Sequence, residues 1–215
     1  MKITWLGHAA FLLETQGLKI VTDPYDHNDD RIGYGPITIP VDIVTISHDH
    51  ADHNYAKDLR GNPQSVKGSG TFDVKGITFT GIETHHDPTT GSQRGGNTIF
   101  VIRAEGMNLC HAGDLGHTLS GDKIEAISPV DILLIPVGGF YTIDAAEATK
   151  VMEDLNPKLV IPMHFKTEVL DFPITGVDAF LEGKSNVRRQ GSSEIEVTKQ
   201  TLPGKREIVV LEHLL

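Results

Sequence analysis

Between Ser47 and His53 the chain reads Ser-His-Asp-His-Ala-Asp-His, and His48, His50, Asp52 and His53 set three imidazoles and a carboxylate within six residues. Neutral imidazole and carboxylate are the donor set of zinc and related divalent ions. The spacing divides the four into two pairs. On an extended segment leaving a strand, His48 and His50 share one side and can grip one ion. Asp52 and His53, on the bend or helical start that follows, address a second position nearby. A polar turn with exposed histidines accounts for one or two such residues, not for four at this spacing. The chemistry to expect is that of a metal-dependent hydrolase.

Elements that could position such a site are legible around it. The cluster follows the apolar run Ile43-Val44-Thr45-Ile46. Segments 3–6, 10–14, 18–22, 77–81, 97–104 and 107–111 also read as strands, most of them bounded by Gly, Pro or Asp. The second half alternates. A helix-like stretch at 122–127 precedes strand 132–137, and a helix spans 145–155 before strand 158–162. For that longer helix Asp144 and Glu147 form a capping pair, Ala148, Val151, Met152 and Leu155 share a face, and Pro157 stops it. Residues 177–181 read as a short helix, 194–198 and 208–211 as two further strands. Strands first, then strands alternating with helices, predict layers of sheet covered by helices. Residues 24–40 show no periodicity, as expected of a binding loop or lid.

Other candidate donors sit where strands end: Asp23 after 18–22, His85, His86 and Asp87 after the run ending near Glu83, His111 and Asp114 after 107–111, and His164 after 158–162. Strand ends that meet at one rim of a sandwich would join residues more than a hundred positions apart into one site.

Length and composition narrow the classes. The 215 residues contain no linker or low-complexity tract and fit one domain over 1–215. A formal net charge of −10 argues against a nucleic-acid or anionic-membrane binder. Cys110 is the single cysteine, so a metal must be held by His and carboxylates. The first residues read as a strand rather than a secretory signal, and no stretch approaches a membrane span, so a cytoplasmic location is expected. Association with further copies of the chain is compatible with the sequence.

With these residues in place, the chain resembles the metallo-β-lactamase fold superfamily, whose His-x-His-x-Asp-His motif is followed by a His, an Asp and a final His, each after a strand. The resemblance covers essentially the whole chain. It is nearest the small prokaryotic branch that includes L-ascorbate 6-phosphate lactonase-like proteins and other metal-dependent hydrolases, through Gly7-His8, Arg94-Gly95-Gly96-Asn97-Thr98, Pro136-Val137-Gly138-Gly139 and Met163-His164. It implies an α/β (α+β) fold, a four-layer αβ/βα sandwich.

The resemblance also implies roles. A first divalent ion would be held by His48, His50 and His86, a second by Asp52, His53 and His164, with Asp114 bridging. Zinc is the first expectation, with manganese or iron accepted by the same donors. His86 is preferred to His85 because His86-Asp87 matches the His-Asp pair of the branch. Asp23 would orient the ligand loop from behind, with His8 and His111 also behind the ligands. Two ions would hold a bridging hydroxide that attacks an ester, lactone or phosphodiester, with Asp52 orienting it. His8, His111 and His117 are candidates for protonating the leaving group, and His117 is grouped with Asp52 as catalytic. Lys166, Arg94 and Tyr141 are the expected contacts to a small, anionic substrate. An RNA-processing nuclease of the same fold and a non-catalytic metal-binding protein are the alternatives.

Overall fold

The computed structural model describes all 215 residues. Two sheets carry the chain. The first contains β1 (Lys2–Gly7), β2 (Ala10–Thr15), β3 (Leu18–Thr22), β4 (Ile43–Ile46), β5 (Gln64–Lys67) and, from the C-terminal region, β13 (Glu194–Glu196), in the order β13-β1-β2-β3-β4-β5. The second contains β6 (Gly70–Val74), β7 (Ile77–His85), β8 (Gly96–Ala104), β9 (Met107–His111), β10 (Ile132–Pro136), β11 (Leu159–Met163), β12 (Val187–Arg189) and β14 (Glu207–Val210), in the order β12-β14-β11-β10-β9-β8-β7-β6. Three helices, α1 (Gly121–Ile127), α2 (Ala145–Leu155) and α3 (Asp178–Leu181), all follow residue 120. This is the expected mixed α/β sandwich.

Strand direction explains why donors gather at one rim. β1 and β3 are each antiparallel to β2, and β4 is parallel to β3, so β1, β3 and β4 run the same way. In the second sheet β7 and β9 are each antiparallel to β8, and β10 and β11 continue parallel to β9. The C-terminal ends of β1, β3, β4, β7, β9, β10 and β11 therefore lie at common edges. These are the ends followed by His8, Asp23, Ser47, His86, Asp114, Gly138 and His164. The parallel part is made by α1 between β9 and β10 and α2 between β10 and β11, the connection that parallel strands require.

The apolar faces of both sheets meet in one core. Trp5, Phe11, Leu13, Ile20 and Ile43 from the first sheet pack in the same cluster as Phe79, Phe100, Ile102, Leu133 and Ile161 from the second. β10 and β11 are buried along their whole length, as strands covered on both faces must be. On the helical side, α2 presents Ala148, Val151, Met152 and Leu155 to the interior. Its start carries a full capping box, Asp144 accepting from Ala146 N and Glu147 N while Glu147 accepts from Asp144 N. Such a cap contributes about 1 kcal/mol. The outer face of the first sheet is covered by irregular chain. Tyr25, Ile32, Tyr34 and Ile37 from the long loop and Leu170, Phe172 and Ile174 from the segment after β11 pack on Leu6, Leu12 and Val21.

β5, β6 and β12 carry no strand pattern in the sequence. Each lies at or next to a free sheet edge, and each buries at most one side chain: Val66 in β5, Val74 in β6 and none fully in β12. Edge strands solvated on both faces lose the alternation by which a strand is read. β7 also runs past Gly81 to His85, because its register with β8 continues to the His85–Gly96 pair.

Candidate metal centre

The loop after β4 is wound onto itself by two bonds to one carbonyl, His53 N at 2.9 Å and Asn54 N at 3.0 Å from His50 O. That bend separates the donors. His48, His50 and His86 converge within 4.8 Å of one another, as do Asp52, His53 and His164 together with His8. Asp114 lies between the groups. Its Oδ1 is 3.2 Å from His53 Nε2, and its Oδ2 is 3.2 Å from both His86 Nε2 and His164 Nε2. Of the adjacent pair, His86 faces the cluster, whereas His85 stacks toward His117 with ring centres 5.7 Å apart.

These donors do not satisfy one another. His53 Nε2, His164 Nε2 and Asp114 Oδ1 are buried and have no hydrogen-bond partner. Buried polar atoms left without partners are costly in a folded protein, and their arrangement around common points fits divalent ions. The donor set, imidazole and carboxylate without thiolate, suits zinc, manganese or iron; Cys110 is buried elsewhere, its thiol pushed up to about 12 by burial.

Behind the donors stands Asp23, wholly buried and at φ 39°. Its carboxylate accepts from Ser47 N at 2.8 Å, from Ser47 Oγ, and from His53 Nδ1 at 2.9 Å. Ser47 Oγ also meets His48 Nδ1 at 2.9 Å. One carboxylate thus fixes the rings of His48 and His53 through their rear nitrogens. His86 Nδ1 and His164 Nδ1 have no such partner. His111 donates from Nε2 to Ala9 O at 2.9 Å, anchoring the turn after β1. His8, expected behind the ligands, lies among them: its Nε2 is 3.3 Å from Asp52 Oδ2 and its ring is 4.2 Å from that of His164.

Two glycines let these segments meet. Gly113 has φ +56°, and a Cβ there would lie 2.4 Å from Asn97 Oδ1 and 2.7 Å from Ser47 Cβ. A Cβ on Gly116 would lie 2.2 Å from the His86 carbonyl carbon and 2.3 Å from Asp87 N. Gly116 therefore sets how closely the Asp114 turn approaches His86. Asn97, to which the sequence assigns no role of its own, ties the site to β8 by accepting from Asp114 N at 3.0 Å and donating to Ala112 O at 3.0 Å.

Charge is distributed unevenly. Burial pushes His48 down to about 3 and His8 down to about 4, leaving both neutral and ready to ligate. His50 is lowered by burial and by His86. For His53 burial acts the same way, but Asp114 and Asp52 outweigh it and raise its pKa well above the imidazole range. Burial likewise pushes the Asp114 carboxyl up, but His164 and His53 outweigh it and hold it well below the usual carboxylate range. For Asp52, burial is overcome by His53 and His8, and it stays anionic.

The donors open on a cavity of about 310 Å³ whose wall includes His50, Asp52, His86, Asp114 and His164, together with Arg94 and Tyr141. Ala51, Asp29, Arg31 and Phe172 complete it; Asp29 and Arg31 come from the 24–40 segment expected to be a binding loop, whereas no sequence pattern marks Phe172. Lys166 is not brought here. Its ammonium bonds Phe172 O at 3.2 Å and sits 3.7 Å from Asp171, and the residue lines a separate groove beside Trp5. His117 is also held away: Nε2 accepts from His85 N at 3.2 Å, tying the turn to β7, and Nδ1 donates to Thr118 O at 2.8 Å within the turn itself. A larger open groove of about 810 Å³ along α2 and β14 holds no histidine. No helix is long and apolar enough to cross a membrane.

Comparison with known proteins identifies the family. Residues 2–164 match the family described as the Beta-lactamase superfamily domain. A UPF0173 metal-dependent hydrolase of Carboxydothermus hydrogenoformans is 31% identical over 206 residues, 83% of this chain and 88% of that protein. A second, from Methanosarcina barkeri, is 32% identical over 194 residues, 78% of this chain and 84% of that protein. A crystal structure from Thermotoga maritima, of a candidate Zn-dependent hydrolase of the metallo-beta-lactamase superfamily, superimposes with a TM-score of 0.84 and 39% identity, covering 99% of each chain. The chain belongs to the metallo-β-lactamase superfamily, in the family of the UPF0173 metal-dependent hydrolases.

Proposed function

We propose that the protein is a metal-dependent hydrolase whose centre holds two divalent ions, zinc first among them, and cleaves a small ester, lactone or phosphodiester. The observation that carries this reading is the pair of donor groups sharing Asp114, with buried Nε2 and Oδ1 atoms left unpartnered beside an open cavity. His48, His50 and His86 would hold one ion, Asp52, His53 and His164 the other, and Asp114 both. When bound, such ions acidify water toward a pKa of about 7 and stabilise the developing oxyanion.

The chain's own residues do the rest. Asp52, on the cavity wall and kept anionic, accepts a hydrogen bond from the attacking water and fixes its direction toward the substrate. His8 holds Asp52 Oδ2 at 3.3 Å, so that carboxylate keeps one orientation. Asp23 prevents the His48 and His53 rings from rotating. Cavity size supports a substrate of metabolite dimensions rather than a polymer. The experiment is to strip the protein with chelator, restore zinc, manganese or iron, and assay matched esters, lactones and phosphodiesters. His50→Ala and Asp114→Ala should abolish turnover together with metal retention; turnover in either variant at the wild-type level would refute the reading.

A further inference from the structure

One side of the cavity is a continuous strip of four side chains from four separate loops. The Arg31 guanidinium lies 5.7 Å over the Phe172 ring, Phe172 lies 5.6 Å from Tyr141 at 69°, and the Arg94 guanidinium lies 5.7 Å over Tyr141. The two cations differ. Arg31 is clamped by Asp29, with Nε 3.0 Å from Oδ1 and Nη2 2.7 Å from Oδ2, which compensates its charge. Arg94 has no carboxylate partner, and its stack on Tyr141 occupies only the guanidinium face, leaving the N–H edges free.

The backbone of Arg94 is not left to chance. Asp87, wholly buried and directly after His86, accepts from Thr89 N at 2.8 Å, Thr89 Oγ1 at 2.7 Å, Gly91 N at 3.0 Å, Gln93 N at 3.0 Å and Arg94 N at 2.8 Å. A single carboxylate thus folds residues 88–94 into a fixed loop. The stretch from His86 to Arg94 begins with a metal-donor candidate and ends with the free cation of the cavity.

From this geometry, and resting on the hydrolase reading above, we infer that Arg94 is the specificity-determining residue for a substrate that carries one anionic oxygen group, carboxylate or phosphate, in addition to the bond that is cleaved. Asp87 is its positioning residue. A guanidinium presents two parallel N–H groups that match either oxyanion. Tyr141 and Phe172, packed on each other in the same wall, offer ring surface to the apolar atoms of the substrate, and the neutral Arg31–Asp29 pair offers no second anion site. The substrate class is a small ester or lactone with a single charged end.

The test uses the zinc-loaded full chain and three p-nitrophenyl esters of equal length ending in methyl, carboxylate or phosphate. Wild type should prefer a charged ester over the methyl one, and Arg94→Ala should cut that preference about 10- to 100-fold, mainly through KM. Whichever charged ester loses more identifies the group. Asp87→Asn should cut the same preference by loosening the loop, and Arg31→Ala should cut it less than Arg94→Ala. A preference that survives Arg94→Ala overturns the inference. If zinc-loaded wild type cleaves none of the three, the hydrolase reading fails on these substrates and the cation is read separately by calorimetric binding of benzoate and phenylphosphonate. Binding about 10-fold weaker in Arg94→Ala then supports the inference, and equal binding overturns it.

Discussion

Asp23 accepts a hydrogen bond from His53 Nδ1 at 2.9 Å with both side chains excluded from solvent. The same carboxylate also holds Ser47, so a residue of β3's end governs the loop after β4 that carries four of the donors. Replacing Asp23 by Ala leaves Ser47 N and His53 Nδ1 buried without acceptors. The expected cost is about 3 kcal/mol of stability and about 10- to 100-fold in metal affinity. Chemical denaturation and competitive metal titration measure the two; an Asp23→Ala protein with wild-type metal affinity would remove Asp23 from the account.

Gly116 gives a steric prediction. Because a Cβ there meets the backbone of His86 and Asp87, Gly116→Ala must push the two segments apart. The expected loss is about 1 to 3 kcal/mol, with metal affinity reduced at the position formed by His48, His50 and His86. Gly121→Ala, which meets no atom within 4 Å, is the control. Thermal unfolding of the two variants side by side decides the point.

The pH dependence of the metal-free protein follows from its histidines. His53 has a raised folded-state pKa, so the stability it contributes is complete below its ordinary value of 6.5 and is lost as pH rises through the raised value. His8 and His48 are buried neutral. The unfolded chain takes up their protons more readily, so stability also falls as pH drops from 6.5 toward about 4 and about 3 respectively. Metal-free protein should therefore be most stable near neutrality. Zinc should remove the alkaline decline, since a ligating His53 has already given up its proton, and His53→Gln should lack that decline as well. Melting temperature against pH, with and without zinc, reads this directly.

The same proton makes a calorimetric prediction. Asp114 and Asp52 raise the pKa of His53 and so favour its protonated form in the metal-free site, whereas burial lowers those of His48 and His8. Filling the position formed by Asp52, His53 and His164 should release about one proton. Titration of zinc in buffers of different ionisation enthalpy measures the number, and no release at that position would show that His53 is neutral before metal arrives.

Much of the donor set is legible in the sequence because ligand types cluster locally at His48–His53 and because later candidates follow buried strands whose apolar runs are unmistakable. The rim follows from strand direction, which a strand pattern alone does not state. What escapes the sequence is set by long-range contacts. Asn97 reads as one polar residue at the start of an apolar strand, and only the fold shows it bonded to the Asp114 turn. Arg31 and Phe172 belong to loops without periodicity and meet because Ile32 and Phe172 pack in one cluster on the first sheet and Asp171 N donates to Arg31 O at 2.7 Å. Lys166 stands two residues after His164 in the chain, yet its side chain turns toward Asp171 and Phe172 O, away from the cavity. His8 takes φ 52°, a backbone conformation that sequence does not announce, and this carries its ring against His164.

Whether two donor groups share one carboxylate is decided by metal analysis of the zinc-reconstituted protein combined with anomalous diffraction at the zinc edge. Two zinc ions per chain are expected, one among His48, His50 and His86, one among Asp52, His53 and His164, both in contact with Asp114. A single ion per chain, or two ions of which either lies clear of Asp114, would contradict that arrangement.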